Sequence, residues 1–106
     1  MDRLFAQGLS LFSGPVRFIY LKNPEVTKNA FLVGFSVPKR KIKHAVDRNS
    51  VKRLMRENFR LHQHKFQAIN NITMMWLYTG NQIPDYKLIE KNMLKIINKF
   101  NSISSK

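Results

Sequence analysis

The sequence predicts a single α+β domain that spans residues 1–106. With 106 residues the chain has room for one hydrophobic core, and 43% of them are apolar, which argues against a disordered basic tail. Short runs of β-forming residues alternate with longer segments of helical periodicity, and this mixture is typical of the α+β class. The chain contains no cysteine, so neither a disulfide nor a Cys-ligated zinc ion can support the core.

Three strands are predicted, and each is a run of β-branched and aromatic residues beside chain breakers. The first covers residues 16–21 and follows the pair Gly14-Pro15. A polar loop separates it from the second strand, over residues 30–37, which ends at a proline. The third strand covers residues 72–78 and is followed by Gly80-Asn81.

Three helices are predicted, one before the strands and two that flank the third strand. The first is short, covers residues 2–7 and ends at a glycine, which is a common C-terminal cap. The second begins near Asn49, where the apolar spacing becomes helical. The third runs from Tyr86 to about Phe100 with Asp85 as its N-cap, and residues 101–106 are expected to form a frayed tail.

Positive charge is the strongest functional signal in the composition. The chain has 19 Lys and Arg against 6 Asp and Glu, a net charge of +13. Residues 38–60 alone carry +7, and the other 83 residues carry +6. Such an excess opposes compaction, so it is typical of proteins that bind an anionic partner, which could be a nucleic acid, a membrane surface or an acidic protein.

The second predicted helix separates its charge from its apolar residues. At about 100° per residue, the polar side chains fall on one side and the apolar side chains on the other. Like charges four residues apart repel each other, so a stripe of them favours phosphate binding over a merely solvated surface. The polar side holds Arg48, Asn49, Lys52, Arg53, Arg56 and Arg60, and the core side holds Val51, Leu54, Met55, Phe59, Leu61 and His62.

A second basic stripe lies on the last predicted helix, but its chemistry is different. It contains only lysines at four-residue steps, with no arginine or aromatic residue between them. Lysines opposite a core face are common solubilising residues, so we interpret this stripe as a solvated surface. Its members are Lys87, Lys91, Lys95 and Lys99.

The sequence contains no recognisable protein-borne active site. It lacks a Gly-x-Ser-x-Gly nucleophile motif, a phosphate-binding P-loop and a His-Glu-x-x-His zinc motif. Six scattered acidic residues do not suggest a two-metal nuclease site, which needs several carboxylates around its ions. His44, His62 and His64 form no evident pair with a carboxylate cluster, so they are interpreted as packing or surface residues, and no catalytic residue or metal ligand is predicted.

One stretch of the chain resembles a known protein family. Residues 43–57, Lys-His-Ala-Val-Asp-Arg-Asn-Ser-Val-Lys-Arg-Leu-Met-Arg-Glu, closely resemble the Ala-Val-x-Arg-Asn-x-x-Lys-Arg-x-x-Arg-Glu signature of the protein component of bacterial ribonuclease P. Residues 33–40 are similar to the glycine-containing strand and Lys/Arg pair of that family, and Leu4-Phe5 resemble the end of its first helix. The chain departs from the family at Ser50, where a third basic residue is usual.

The resemblance implies both a fold and a function. The fold would be a small α/β sandwich, in which a mixed sheet packs with helices and contains a left-handed βαβ crossover. The protein would act as cofactor of a catalytic RNA that removes the 5′ leader of precursor tRNA with bound Mg²⁺. The metal would belong mainly to the RNA, and the isolated protein would require none. We therefore expect one protein per RNA, in the cytoplasm and with no membrane partner.

The resemblance also assigns roles to residues. The helix positions that match the family's RNA contacts are Arg48, Asn49, Lys52, Arg53 and Arg56, to which we add the neighbouring Arg60, Lys39, Arg40, Lys41 and Lys43. A cleft for the leader is expected at Phe5, Arg17 and Ile19. Because side chains alternate along a strand, Val16, Phe18 and Tyr20 would then face the core.

Three other functions remain open from the residues alone. A ribosomal or general RNA-binding protein would have the same composition, and only the 43–57 motif argues against it. A DNA-binding protein with a recognition helix at 49–62 is disfavoured because the predicted strands are unlike a helix-turn-helix domain. A membrane-surface module is disfavoured because so small a domain needs the apolar side of that helix for its core.

Overall fold

The computed structural model of the chain describes residues 9–22, 31–66 and 72–104. Within these residues four strands form one sheet and two long helices pack against it, which confirms the α+β class. The strands are β1 (Leu9–Ser13), β2 (Val16–Lys22), β3 (Phe31–Ser36) and β4 (Ile72–Tyr78); the helices are α1 (Ala45–His62) and α2 (Tyr86–Ser104), with a short 3-10 helix at Gln63–Lys65 after α1. The predicted helix over residues 2–7, and residues 23–30 and 105–106, lie outside the described residues.

The sheet is mixed, as expected. Its strand order is β1-β2-β4-β3, with β1 and β4 antiparallel to β2. Strands β3 and β4 are parallel neighbours, and α1 lies in the connection between them. The chain therefore contains the βαβ unit that the resemblance implies, and the left-handed sense of its crossover stays a prediction.

Strand β1 was not predicted from the sequence. Its five residues are too few for a clear pattern, and their structure depends on pairing with β2 through the two-residue turn at Gly14-Pro15. Gly14 has a φ of 56°, and a Cβ at this position would lie 2.9 Å from Asn92 Oδ1. The turn therefore needs glycine both for its backbone conformation and for its close approach to α2.

Both helices extend beyond their predicted ends. Helix α1 begins at Ala45, whereas the sequence predicted a start near Asn49. The prediction missed the first turn because that turn carries no apolar periodicity. Helix α2 continues to Ser104, whereas the sequence predicted its end near Phe100 with a frayed tail after it. The side chain of Asn101 donates to Lys65 O at 2.7 Å, which ties this last turn to the segment after α1.

The core lies between the two helices and one side of the sheet, which we call the helix face. As predicted, Val16, Phe18 and Tyr20 of β2 are buried there, and Phe18 packs on Trp76 of β4 with ring centroids 4.5 Å apart. The opposite side of the sheet is the far face. Cross-strand register places Ser10, Phe12, Arg17, Ile19, Leu32, Met75 and Leu77 on it.

The N-terminus of α2 follows the sequence prediction. Asp85 Oδ1 accepts a hydrogen bond from Leu88 N at 2.8 Å, which is the N-cap contact. The core side of this helix contributes Ile89, Met93, Ile96, Ile97 and Phe100, all of them at most 2% exposed. Helix α1 contributes Val51, Met55 and Phe59, whereas Leu61 lies at the edge of its apolar side and is 51% exposed. The predicted core side of α1 is therefore correct except at Leu61.

Candidate nucleic-acid interface

Four basic side chains project from the turn that precedes α1. Backbone amides of Lys41 and Ile42 donate to Pro38 O at 3.1 and 3.3 Å, and this closes the turn. Ile42 is only 6% exposed, so it anchors the turn in the core. The basic side chains around this anchor all reach solvent: Lys39, Arg40, Lys41 and Lys43.

Arg48 holds this turn against the helix. Its Nη1 atom donates to Ile42 O at 3.0 Å and to Lys43 O at 2.7 Å. The sequence predicts Arg48 as an RNA contact, yet the structure also makes it a brace between the basic turn and the first turn of α1. Sequence reasoning missed this role because backbone acceptors in a turn leave no residue pattern.

The other predicted residues of α1 lie along its solvent side. Arg53 Nε pairs with Glu57 Oε1 at 3.1 Å, and the Arg56 guanidinium lies 5.8 Å from the centre of the Phe35 ring. These contacts hold both arginines while leaving them exposed. Together with the basic turn they form what we call the basic surface: Lys39, Arg40, Lys41, Lys43, Arg48, Asn49, Lys52, Arg53, Arg56 and Arg60.

Ser50 interrupts the basic surface with a neutral group. Its hydroxyl donates to Val46 O at 3.1 Å, one helical turn earlier. The side chain therefore folds back on the helix instead of projecting toward a partner. The turn residues Lys41 and Lys43 supply positive charge near this end of the helix.

The residues predicted to line a leader cleft lie on another part of the molecule. Arg17 and Ile19 are on the far face, where Arg17 is exposed and Ile19 is half-buried. Phe5, the third predicted member, lies outside the described residues. The alternation predicted along β2 is therefore confirmed, and a role of these two residues in binding stays a prediction.

The lysine stripe of α2 is not uniform. Lys87, Lys91 and Lys95 are exposed, as a solvated surface requires. Lys99 instead donates to Phe12 O at 2.8 Å, and its Nζ lies 5.7 Å from the centre of the Phe12 ring. The last lysine thus belongs to the edge of the sheet at β1.

His62, interpreted from the sequence as a packing residue, pairs with a single carboxylate. Its Nε2 atom lies 3.0 Å from Glu90 Oε2, so the pair joins the end of α1 to the start of α2. The two residues are 28 positions apart, which is why sequence spacing did not reveal them. The described parts of the chain contain no group of three or more His, Cys, Asp or Glu residues placed to hold a metal ion.

Neither α1 nor α2, nor any other helix among residues 9–22, 31–66 and 72–104, is long and apolar enough to cross a membrane.

The known proteins that are similar to this chain in sequence carry the same name. The ribonuclease P protein component of Porphyromonas gingivalis is 30% identical over 102 residues, which cover 90% of this chain and 73% of that protein. The corresponding protein of Buchnera aphidicola is 36% identical over 73 residues, or 69% of this chain and 56% of its own length.

Solved structures show the same likeness. The RNase P protein of Staphylococcus aureus superposes with a TM-score of 0.73 at 26% identity, covering 94% of this chain and 90% of that one. The RNase P protein of Thermotoga maritima has a TM-score of 0.74 at 19% identity, covers 91% and 86% of the two chains, and shares the fold. The family model for Ribonuclease P matches residues 1–101. With nearly the whole chain matched, this protein belongs to the ribonuclease P protein component family.

Proposed function

We propose that this chain is the protein subunit of a ribonuclease P, in which it binds the catalytic RNA and the precursor tRNA. The observation that carries the proposal is the basic surface, where α1 and the preceding turn present their cations together because Arg48 bonds to the turn. Arginine suits this task because its planar fork donates two parallel hydrogen bonds to a phosphate.

In this proposal the protein binds the catalytic RNA and positions the precursor tRNA, and the catalytic RNA performs the cleavage. The catalytic RNA and its tRNA substrate are both polyanions, so they repel each other when they associate. Lysine and arginine side chains of the basic surface would neutralise phosphates and release counterions. The Mg²⁺ ions needed for hydrolysis of the leader would be bound mainly by the RNA, and the protein would lower the concentration at which they suffice.

The part of the far face around Arg17 and Ile19 would receive the single-stranded leader. Arg17 is exposed there beside the half-buried Ile19, and this pairing of a cation with apolar surface suits a strand whose bases are unstacked. The basic surface would meanwhile hold structured RNA through its phosphates. We expect one protein per RNA subunit, acting in the cytoplasm.

Reconstitution with the cognate RNA subunit tests the proposal. At low Mg²⁺ concentration, adding the protein should increase the rate of leader removal from precursor tRNA, and the protein alone should cut nothing. Cleavage by the protein alone would refute RNA-borne catalysis. Tight RNA binding without any stimulation would instead favour a ribosomal or general RNA-binding protein.

A further inference from the structure

Phe12 is a large aromatic side chain that the core does not use. It lies in β1, and it is 64% exposed. A single exposed apolar residue is ordinary on a protein surface. The groups around Phe12 are what make it unusual.

Cations from two other parts of the chain lie beside the Phe12 ring. Cross-strand register pairs Phe12 with Arg17, so both side chains project from the far face at neighbouring positions. Lys99 reaches the same place from α2, where its Nζ donates to Phe12 O and lies over the ring. Three separate elements thus bring together one exposed ring, a lysine ammonium over it and an arginine at the paired strand position.

This combination matches the chemistry of single-stranded nucleic acid. Bases stack on exposed aromatic rings without regard to sequence, and the flanking phosphates pair with nearby cations. An apolar protein partner fits less well, because the two charges would have to be desolvated when it binds. The net charge of +13 also favours an anionic occupant.

We propose that Phe12, Arg17 and Lys99 form a nucleotide subsite at the β1 edge of the sheet. The Phe12 ring stacks with one unpaired base of the RNA, and Arg17 and Lys99 pair with the phosphates on either side of it. The subsite rests on the proposed function and deepens it, because it extends the binding surface for the leader from Arg17 and Ile19 to the outermost strand.

Two substitutions of Phe12 test the stacking contact in the holoenzyme. Phe12→Ala should weaken binding of precursor tRNA about 5- to 150-fold, the range for loss of one base–aromatic stack. Phe12→Trp should retain the affinity, because it keeps a ring. Binding of the same tRNA without its leader should change by less than about twofold in both variants.

Leu32→Ala is the matched control. Leu32 is also on the far face and is 56% exposed, but it lies in β3 at the opposite edge of the sheet. Its removal should leave the affinity for precursor tRNA unchanged. Equal losses for Phe12→Ala and Leu32→Ala, or equal losses with and without the leader, would overturn the subsite.

A binding measurement on the protein alone separates this proposal from the proposed function. Its probe is a labelled 12-nucleotide oligouridylate, which needs no RNA subunit. Phe12→Ala should weaken this binding without changing its salt dependence, whereas Arg17→Ala should lower the salt slope by about 0.7. Loss of oligouridylate binding in Phe12→Ala would support the subsite even if reconstitution showed no stimulation. Unchanged binding in that variant would refute it.

Discussion

The two long helices of this protein carry similar numbers of cations on their solvent sides but hold them differently. On α1 the side chain of Arg53 bonds to Glu57, and the guanidinium of Arg56 lies over the Phe35 ring. On α2 the lysines from Lys87 to Lys95 extend into solvent. A side chain that is already ordered loses less conformational entropy when it binds a phosphate. The placement of the charges therefore distinguishes the two helices better than their number does.

Paired charge reversals on the two helices should give the largest difference in RNA affinity. Without that difference, the distinction between the two helices would be wrong. Arg56→Glu with Arg60→Glu should weaken RNA binding about 100-fold or more, because two charge-assisted contacts contribute about 3–6 kcal/mol. Lys91→Glu with Lys95→Glu changes the net charge by the same amount and should cost less than about tenfold, since it alters only the long-range field. Filter-binding titrations at fixed ionic strength provide the measurement. Equal losses for the two pairs would show that total charge alone determines affinity.

Substitution of Arg48 should lower the free energy of unfolding modestly. It should also change the salt dependence of RNA binding. Arg48→Ala removes both bonds to the basic turn and should lower the free energy of unfolding by about 1–2 kcal/mol. Because the turn carries four cations, its release should reduce the salt slope of RNA binding by more than the value of about 0.9 expected for one lost phosphate contact. Thermal unfolding and salt titrations of the same variant test both expectations.

Arg53→Ala is the control for the brace. Arg53 belongs to the same helix, but its side chain bonds to Glu57 and not to the turn. The salt slope of RNA binding in Arg53→Ala should therefore fall by about 0.9, the value for one phosphate contact. Amide hydrogen exchange in residues 39–44 should accelerate in Arg48→Ala and stay unchanged in Arg53→Ala. Identical slopes and exchange rates in the two variants would mean that Arg48 is an ordinary RNA contact.

The smallest effect is expected at the entrance to α2, and it depends on pH. The Tyr78 hydroxyl donates to Gln82 O at 2.6 Å, and burial raises the pKa of this tyrosine. A raised pKa in the folded state means that its contribution to stability is complete below the unfolded value of about 10 and is lost as the pH rises beyond it. Tyr78→Phe should therefore be about 1 kcal/mol less stable at neutral pH, and this difference should shrink above about pH 10.

Urea titrations from pH 7 to 11 follow that difference. RNA affinity at neutral pH should be the same in both proteins, because Tyr78 is buried and its hydroxyl is bonded to Gln82 O. A difference in stability that stayed constant up to pH 11 would contradict the raised pKa. A loss of RNA affinity would show that the loop before α2 also contributes to binding.

The sequence indicated the parts of the fold that depend on local periodicity. Alternation along β2 correctly separated Phe18 from Arg17, and helical periodicity correctly placed Met55 in the core. Periodicity failed where the structure depends on distant partners. Strand β1 is stabilised by its pairing with β2, and the first turn of α1 lacks apolar periodicity, so neither has a readable pattern.

The same limit applies to the candidate site. The motif at residues 43–57 and the concentration of charge around it already pointed to the basic surface. Contacts between residues distant in sequence were invisible, and they include the His62–Glu90 pair and the meeting of Lys99 with Phe12. Such contacts carry no spacing rule, since their geometry depends on how the helices pack on the sheet.

The sequence by itself therefore determined the fold class, the basic side of α1 and the family, because these follow from composition, periodicity and one motif. Only the tertiary structure decided that Arg48 braces the basic turn and that Lys99 leaves the lysine stripe to join β1. The physical reason is that a charge can be counted in a sequence, whereas the partner it meets is selected by the packing of the whole core.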